Sequence, residues 1–369
     1  MNLLHSGKTP LAKAGVAFVS ALVFAAAPVK AAEPAAGGAQ GLGQIKSYLL
    51  TKLASMDQAA HDFVGNAAAY AKILAANGGD YDHAAQKSGD ELRGLITKMQ
   101  DNYKVFHNQG YETVEGVTAG VKRFVQFDND LDAGVPKAEA STDSPAANLV
   151  LKGPDGKVIV DGNGNLFHYV IEPTLWGTKP NFLHPISEES APHVHGLKQL
   201  PRAEVLTAAS AELASRLDQL VDKAKTWEPT LDECVGALVW MTPTLNSYFD
   251  DWKESRYNPT GASGRYVAES RVLDMRGIMS SLQLSYNAVM PDVMKKDPAL
   301  AKALARDYAG IISFLDRVDR QERRVNKLSI QEIDEMAHKA KELTDQLVPK
   351  LKQVVAILNL KLPPKPLLA

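Results

Sequence analysis

Asn165-Leu166-Phe167-His168-Tyr169-Val170-Ile171-Glu172-Pro173-Thr174-Leu175-Trp176 is the stretch on which the reading of this chain turns. If it is helical, His168 and Glu172 stand four residues apart on one face, where an imidazole nitrogen and a carboxylate oxygen can reach one cation. The alternative is a packed histidine beside a glutamate paired with a lysine, and spacing alone does not separate the two. Pro173 lacks an amide proton and its ring crowds the carbonyl four residues back. The helix is therefore expected to kink or restart there.

A second acidic stretch lies upstream, in His107-Asn108-Gln109-Gly110-Tyr111-Glu112-Thr113-Val114-Glu115. If the preceding helix persists, His107, Tyr111 and Glu115 share one face that could offer oxygen or nitrogen to the same cation; taken alone, it reads more simply as a solvated acidic face. In this order the two segments resemble the imelysin-like family, which includes the EfeM/EfeO periplasmic iron-uptake components. Phe167, His168, Ile171, Glu172, Leu175 and Trp176 follow its Gly-Phe-His-x-Ile-Glu-x-x-Leu-Trp signature, with three residues between His and Glu where the family has two. Tyr111, Glu112, Val114 and Glu115 are similar to its Tyr-Glu-x-Ile-Glu helix, and Phe124, Leu131 and Asp132 follow in places that fit. Gly264 to Gly277 resembles the family's acidic, aromatic entry to a cleft-lining helix. The resemblance runs in fragments over roughly residues 45 to 360.

The resemblance implies a metal site lined from one side by Tyr111, Glu112 and Glu115 and from the other by His168 and Glu172. Glu269 and Asp274 are further ligands by position, although Arg271 and Arg276 beside them could neutralise both. It implies capture of iron in the periplasm and delivery to an inner-membrane iron permease. Imidazole and carboxylate donors suit iron, zinc or copper alike, and calcium enters where carboxylates dominate. A binding protein without turnover is the expected class. The alternatives are a metallopeptidase-like enzyme with a His/Glu zinc site, for which no His-Glu-x-x-His sequence is present, and a binder of acidic polysaccharide. The latter would work through calcium bridges or the basic patch of Arg320, Arg323 and Arg324, which reads more simply as a solvated helix face.

Residues 1–31 read as a secretory signal: Lys8 and Lys13, an apolar run from Ala14 to Val29, and small residues before a cleavage point after Ala31. The run is too short to span a membrane comfortably. Cleavage would remove three lysines and no acid, taking the formal charge from −2 to −5. That balance gives no electrostatic basis for binding nucleic acid. The single cysteine, Cys234, forms no internal disulfide, so the core must hold the fold. A hydrophobic fraction of 45% and a charged fraction of 23% supply material for one.

After a small-residue linker, 32–43, apolar residues recur at steps of three and four: Ile45, Leu49, Leu53 and Met56, then Phe63, Ala67, Tyr70 and Leu74. Asn77-Gly78-Gly79 supplies a stop, and Leu92, Ile96, Met99, Tyr103 and Phe106 mark a second helix. Two β-prone runs around Pro154-Asp155-Gly156 predict a hairpin over about 148–162, and Asp161 to Asn165 reads as a turn. The stretch from Trp176 to Pro201 reads as irregular. Its His193-Val194-His195 could chelate if extended, with Glu188 and Glu189 near, or be plain surface. Capping boxes at Thr230/Glu233 and Ser329/Glu332, a break at Pro243 and a helix start at Asp297-Pro298 organise the second half. The expected fold is all-α, with two helical bundles, about 44–135 and 200–360, and a small β-hairpin inserted near the middle.

Overall fold

The computed structural model describes residues 39–141, 144–153, 155–257, 268, 270–324 and 328–365. The expected signal sequence and the candidate ligand Glu269 lie outside these residues. α1 (Ala39–Ala76) begins within the stretch expected as linker and runs to the predicted stop, where Gly78 and Gly79 take left-handed backbone. α2 (Tyr81–Phe106) follows, with the Asp80 side chain accepting from the His83 amide at 3.0 Å. The apolar stripes of both helices are buried from Ile45 to Phe106, as their spacing requires.

The chain then stops making long helices. A 3₁₀ turn (Tyr111–Thr113), α3 (Glu115–Thr118), α4 (Val125–Asp128) and a π-helical turn (Asn129–Ala133) lead to the hairpin of β1 (Val150–Lys152) and β2 (Val158–Asp161). β1 and β2 pair antiparallel, Leu151 opposite Val160, with the turn at Gly156 in positive φ. Gly162 and Gly164 make the expected turn after it; a side chain at Gly164 would run into the Tyr169 ring. A second π turn (Phe167–Ile171) passes directly into α5 (Glu172–Leu175). Pro173 sits in the first turn of α5, where the missing amide costs no hydrogen bond.

The stretch expected to be irregular contains a second small hairpin, β3 (Leu183–Pro185) with β4 (Gln199–Pro201). Three-residue strands carrying prolines leave too little alternation to read. His193 lies in a 3₁₀ turn and His195 in left-handed backbone, so the His-x-His pair is not extended. His195 instead meets Asp90 at 2.9 Å.

α6 (Ala203–Lys225) packs along α1 rather than with the helices that follow it, and completes the first bundle with α2. α7 (Leu231–Met241), α8 (Leu245–Tyr257), α9 (Arg271–Lys296), α10 (Pro298–Arg324) and α11 (Ile330–Ile357) form the second. Both predicted capping boxes are present, at α7 and α11. Pro243 breaks the chain into a 3₁₀ turn between α7 and α8, and α8 runs on through the charged residues from Asp250. α9 touches α1 and the turns that precede α3, so the irregular middle of the chain lies against both bundles. The architecture is all-α in two bundles, with two small hairpins as its only strands among the described residues. No described helix is long and apolar enough to cross a membrane.

Candidate metal centre

Five buried side chains define the site: His107, Glu112, Asp132, His168 and Glu172. Each comes from a place where regular helix gives out. α2 ends at Phe106, so the expected shared face of His107, Tyr111 and Glu115 does not form. The chain turns instead, and the 3₁₀ turn presents Glu112 to His107 at 3.0 Å. α9 lets that turn approach because Gly277 faces it; a Cβ there would lie 3.1 Å from the Glu112 carbonyl oxygen. Asp132 and His168 ride on the two π turns, which lie against each other. A π turn accommodates one residue more than an α turn, and that is the extra residue between His168 and Glu172.

Asp132 Oδ1 lies 2.9 Å from His168 Nε2 and 3.2 Å from His107 Nε2, bridging the two imidazoles. His168 Nδ1 is 3.0 Å from Glu172 Oε2. The Glu172 carboxylate also accepts from the Tyr103 hydroxyl at 3.1 Å and from the Ala268 amide at 2.6 Å. Asn165 fixes the second π turn, its side chain accepting from the His168 amide at 2.9 Å and donating to the Asp132 carbonyl. The rings of Tyr103, Phe167 and His168 pack round the His107 imidazole with centroids 4.8 to 4.9 Å away. Water is thereby kept from that side, which strengthens every charge interaction within.

Burial, the largest single influence, opposes the charged form of both imidazoles, yet the acids together outweigh it: Asp132, Glu112 and Asp274 at His107, and Asp132 with Glu172 at His168. Both pKa values are raised, His107's far above the ordinary imidazole value. Burial pushes the Asp132 carboxyl up, but the two histidines outweigh it and hold it well below the usual range. A shell of further acids surrounds this core. Glu115 and Asp128 are raised well above the usual range by burial and then by neighbouring carboxylates. Asp274 is raised to about 7 by burial and by Glu112.

The other predicted ligands have protein partners. Tyr111 donates to Asp128 at 2.8 Å and Tyr248 to Glu115 at 2.9 Å. Asp274 accepts from Asn108 at 3.0 Å. Arg271 lies 3.5 Å from both Glu112 and Asp274, over the Tyr248 ring; its approach to Asp274 fits the expectation that an arginine would neutralise that acid, and its approach to Glu112 was not anticipated. Arg276 turns outward to Asp316. In the sequence His107 is legible as a donor on the face it was expected to share with Tyr111 and Glu115, and Asp132 only as a neighbour of the motif. What marks Asp132 in the sequence is the density of acids in Phe127-Asp128-Asn129-Asp130-Leu131-Asp132, too many to bury without a cation.

The charge balance states what the site can hold. Six buried carboxylates, of Glu112, Glu115, Asp128, Asp132, Glu172 and Asp274, face one arginine and two histidines. Ligand atoms of His107, Glu112, Asp132 and His168 all lie within 4.8 Å of one another. Glu112 Oε2 and Glu115 Oε2 are buried without a hydrogen-bond partner among the described residues, and such an oxygen is costly until a cation or proton meets it. The residues thus fit a metal ion. A cavity of about 360 Å³, lined by Glu115, Asp128, Asp132, Tyr248 and Arg271, reaches this edge of the centre.

Fold and centre together define a helical protein with a buried imidazole–carboxylate group able to hold a metal. The family profile described as Imelysin matches residues 68–354, most of the chain, and the protein belongs to the imelysin family. No curated protein matches it.

Proposed function

We propose that the protein captures a transition-metal ion, iron in particular, in the periplasm and delivers it to an inner-membrane permease, the role of EfeM/EfeO-type components. The observation that carries this reading is the close grouping of His107, Glu112, Asp132 and His168 in the protein interior. Two imidazoles with carboxylates and no thiolate is the donor class of non-haem ferrous sites. His168 would turn Nε2 to the ion, with Glu172 holding Nδ1 and so orienting the ring. Arg271 and the outer acids would set the net charge of the pocket. An ion held by His107, Asp132 and His168 would take the place of protons between the imidazoles and Asp132, so loading and release would be coupled to proton exchange. The signal-like first 31 residues support export, with residues 32–369 as the form that would reach the periplasm.

Metal titration of residues 32–369 with ferrous and ferric iron, zinc, copper and calcium tests this, comparing wild type with His168→Ala and Asp132→Asn. One tight ferrous ion, lost in both variants and bound without any turnover of peptides, is the expected result. Zinc-dependent peptide cleavage would replace the carrier reading by the metallopeptidase one. Retention of the tight ion by both variants would remove the centre from the function altogether, and binding of acidic polysaccharide would then be measured.

A further inference from the structure

Asp57, His61 and Asp218 form the other grouping of ligand-type side chains among the described residues, on the outer face of the first bundle. Asp57 and His61 stand four apart on α1 and so share a face, and Asp218 reaches them from α6. His61 Nε2 lies 3.6 Å from Asp57 Oδ1 and 4.0 Å from Asp218 Oδ1, and the three ligand atoms are all within 4.8 Å of one another. These gaps are too wide for hydrogen bonds. Donors placed about 2.0 to 2.2 Å from a tetrahedral ion lie about 3.4 Å apart, so Asp57 is already near that spacing from His61 and the exposed Asp218 side chain needs to swing in by only about half an ångström toward it. A second observation concerns the same oxygen. Asp57 Oδ1, the atom that faces His61, is itself buried and has no hydrogen-bond partner among the described residues, although the side chain as a whole is one-third exposed, so a cation arriving from solvent would meet a bare carboxylate oxygen.

We propose that Asp57, His61 and Asp218 form a second metal site, for a divalent transition cation of the zinc and copper class, separate from the buried centre. One imidazole and two carboxylates supply three donors, and the exposure of His61 and Asp218 leaves the remaining positions to water. The ion exchanges readily with solvent and clasps α1 to α6. This inference does not depend on the iron-carrier reading, because no residue is shared between the two groups.

The test is a calorimetric zinc titration of the chelator-stripped protein, residues 32–369, as wild type, His61→Ala, Asp218→Asn and Asp132→Asn. Cobalt absorption serves as a second readout of donor type. Wild type is expected to bind two zinc ions. His61→Ala binds one fewer, Asp218→Asn weakens the same ion at least tenfold, and neither changes the melting temperature of the metal-free protein. Asp132→Asn removes only the other ion. Should the buried centre take no zinc, wild type binds one ion and His61→Ala none, so the two readings fail separately. Wild-type stoichiometry and affinity in both His61→Ala and Asp218→Asn would overturn the proposal.

Discussion

In α10, Leu300, Leu304, Tyr308, Ile311 and Leu315 recur every three or four residues, and all are buried. Between Tyr111 and Leu175, by contrast, no helical element among the described residues is longer than five residues, and the chain buries Glu112, Glu115, Asp128, Asp132, His168 and Glu172 along with its apolar residues. The long helices gain stability by removing apolar surface from water. The broken middle gives some of it back by burying charge, which is repaid only in part by ion pairs and hydrogen bonds. Regular backbone thus holds the irregular segment in place, and the irregular segment holds the chemistry.

Asp132→Ala should break this contrast most severely. It leaves two buried imidazoles without the carboxylate that bridges them, and removing one partner of a buried ionic group costs about 3–5 kcal/mol. Denaturant unfolding of the metal-free protein measures that loss, and titration should show metal affinity lowered by about 100-fold or more. Wild-type stability in Asp132→Ala would mean that the charges are not coupled as their geometry indicates. Leu304→Ala is the counterpart in the helices. A cavity at this fully buried position should cost about 2–5 kcal/mol while leaving metal affinity unchanged in the folded fraction.

A pH series sharpens the contrast further, because the signs are opposed. Groups with folded pKa values raised above the unfolded ones contribute stability that is complete below the unfolded value and lost as pH rises through the folded one. Asp274, raised to about 7, and Glu115 and Asp128 lose theirs above about pH 4, and His107 and His168 above about pH 6.5. Asp132, with its lowered value, acts only at the acid end, where its contribution is lost below about pH 4. The metal-free protein should therefore unfold more easily at pH 8 than at pH 5. Metal affinity should move the other way, gaining about tenfold per pH unit for each proton displaced. Thermal melts and titrations across this range check both slopes, and a metal-free protein that stabilises steadily from pH 5 to 8 would contradict the assignment.

The same contrast explains what could be read from the sequence. A 3.6-residue stripe reports burial directly, so the long helices, the capping boxes and the stop at Gly78-Gly79 were legible. The β1–β2 hairpin was legible through its turn residues. The centre was only half so. His168 and Glu172 were visible because a motif holds them in one stretch, whereas the link from His107 to Asp132 spans 25 residues and two non-α turns. Helical periodicity predicts a shared face for His107, Tyr111 and Glu115, and the end of α2 at Phe106 replaces Tyr111 by Glu112 as the neighbour of His107. A π turn has no periodic signature over five residues. Where it falls depends on the tertiary contacts that favour it, here Asn165 reaching across to the Asp132 carbonyl.

The smallest effect is expected far from the centre. At the start of α11, the Ser329 hydroxyl accepts from the Glu332 amide at 3.2 Å, and Glu332 Oε2 accepts from the Ser329 amide at 2.7 Å. Both bonds are exposed, so Ser329→Ala should cost about 1 kcal/mol, the usual worth of a lost N-cap. In a chain of this size that lowers the melting temperature by roughly 2 °C. Metal affinity should not move, since α11 contributes no side chain to the centre or to the cavity beside it. A change in affinity of Ser329→Ala beyond about twofold would mean that the end of the second bundle is coupled to the centre. The long helices would then do more than hold the irregular segment: they would set how tightly it binds, through α9, which touches both α11 and the turn that carries Glu112.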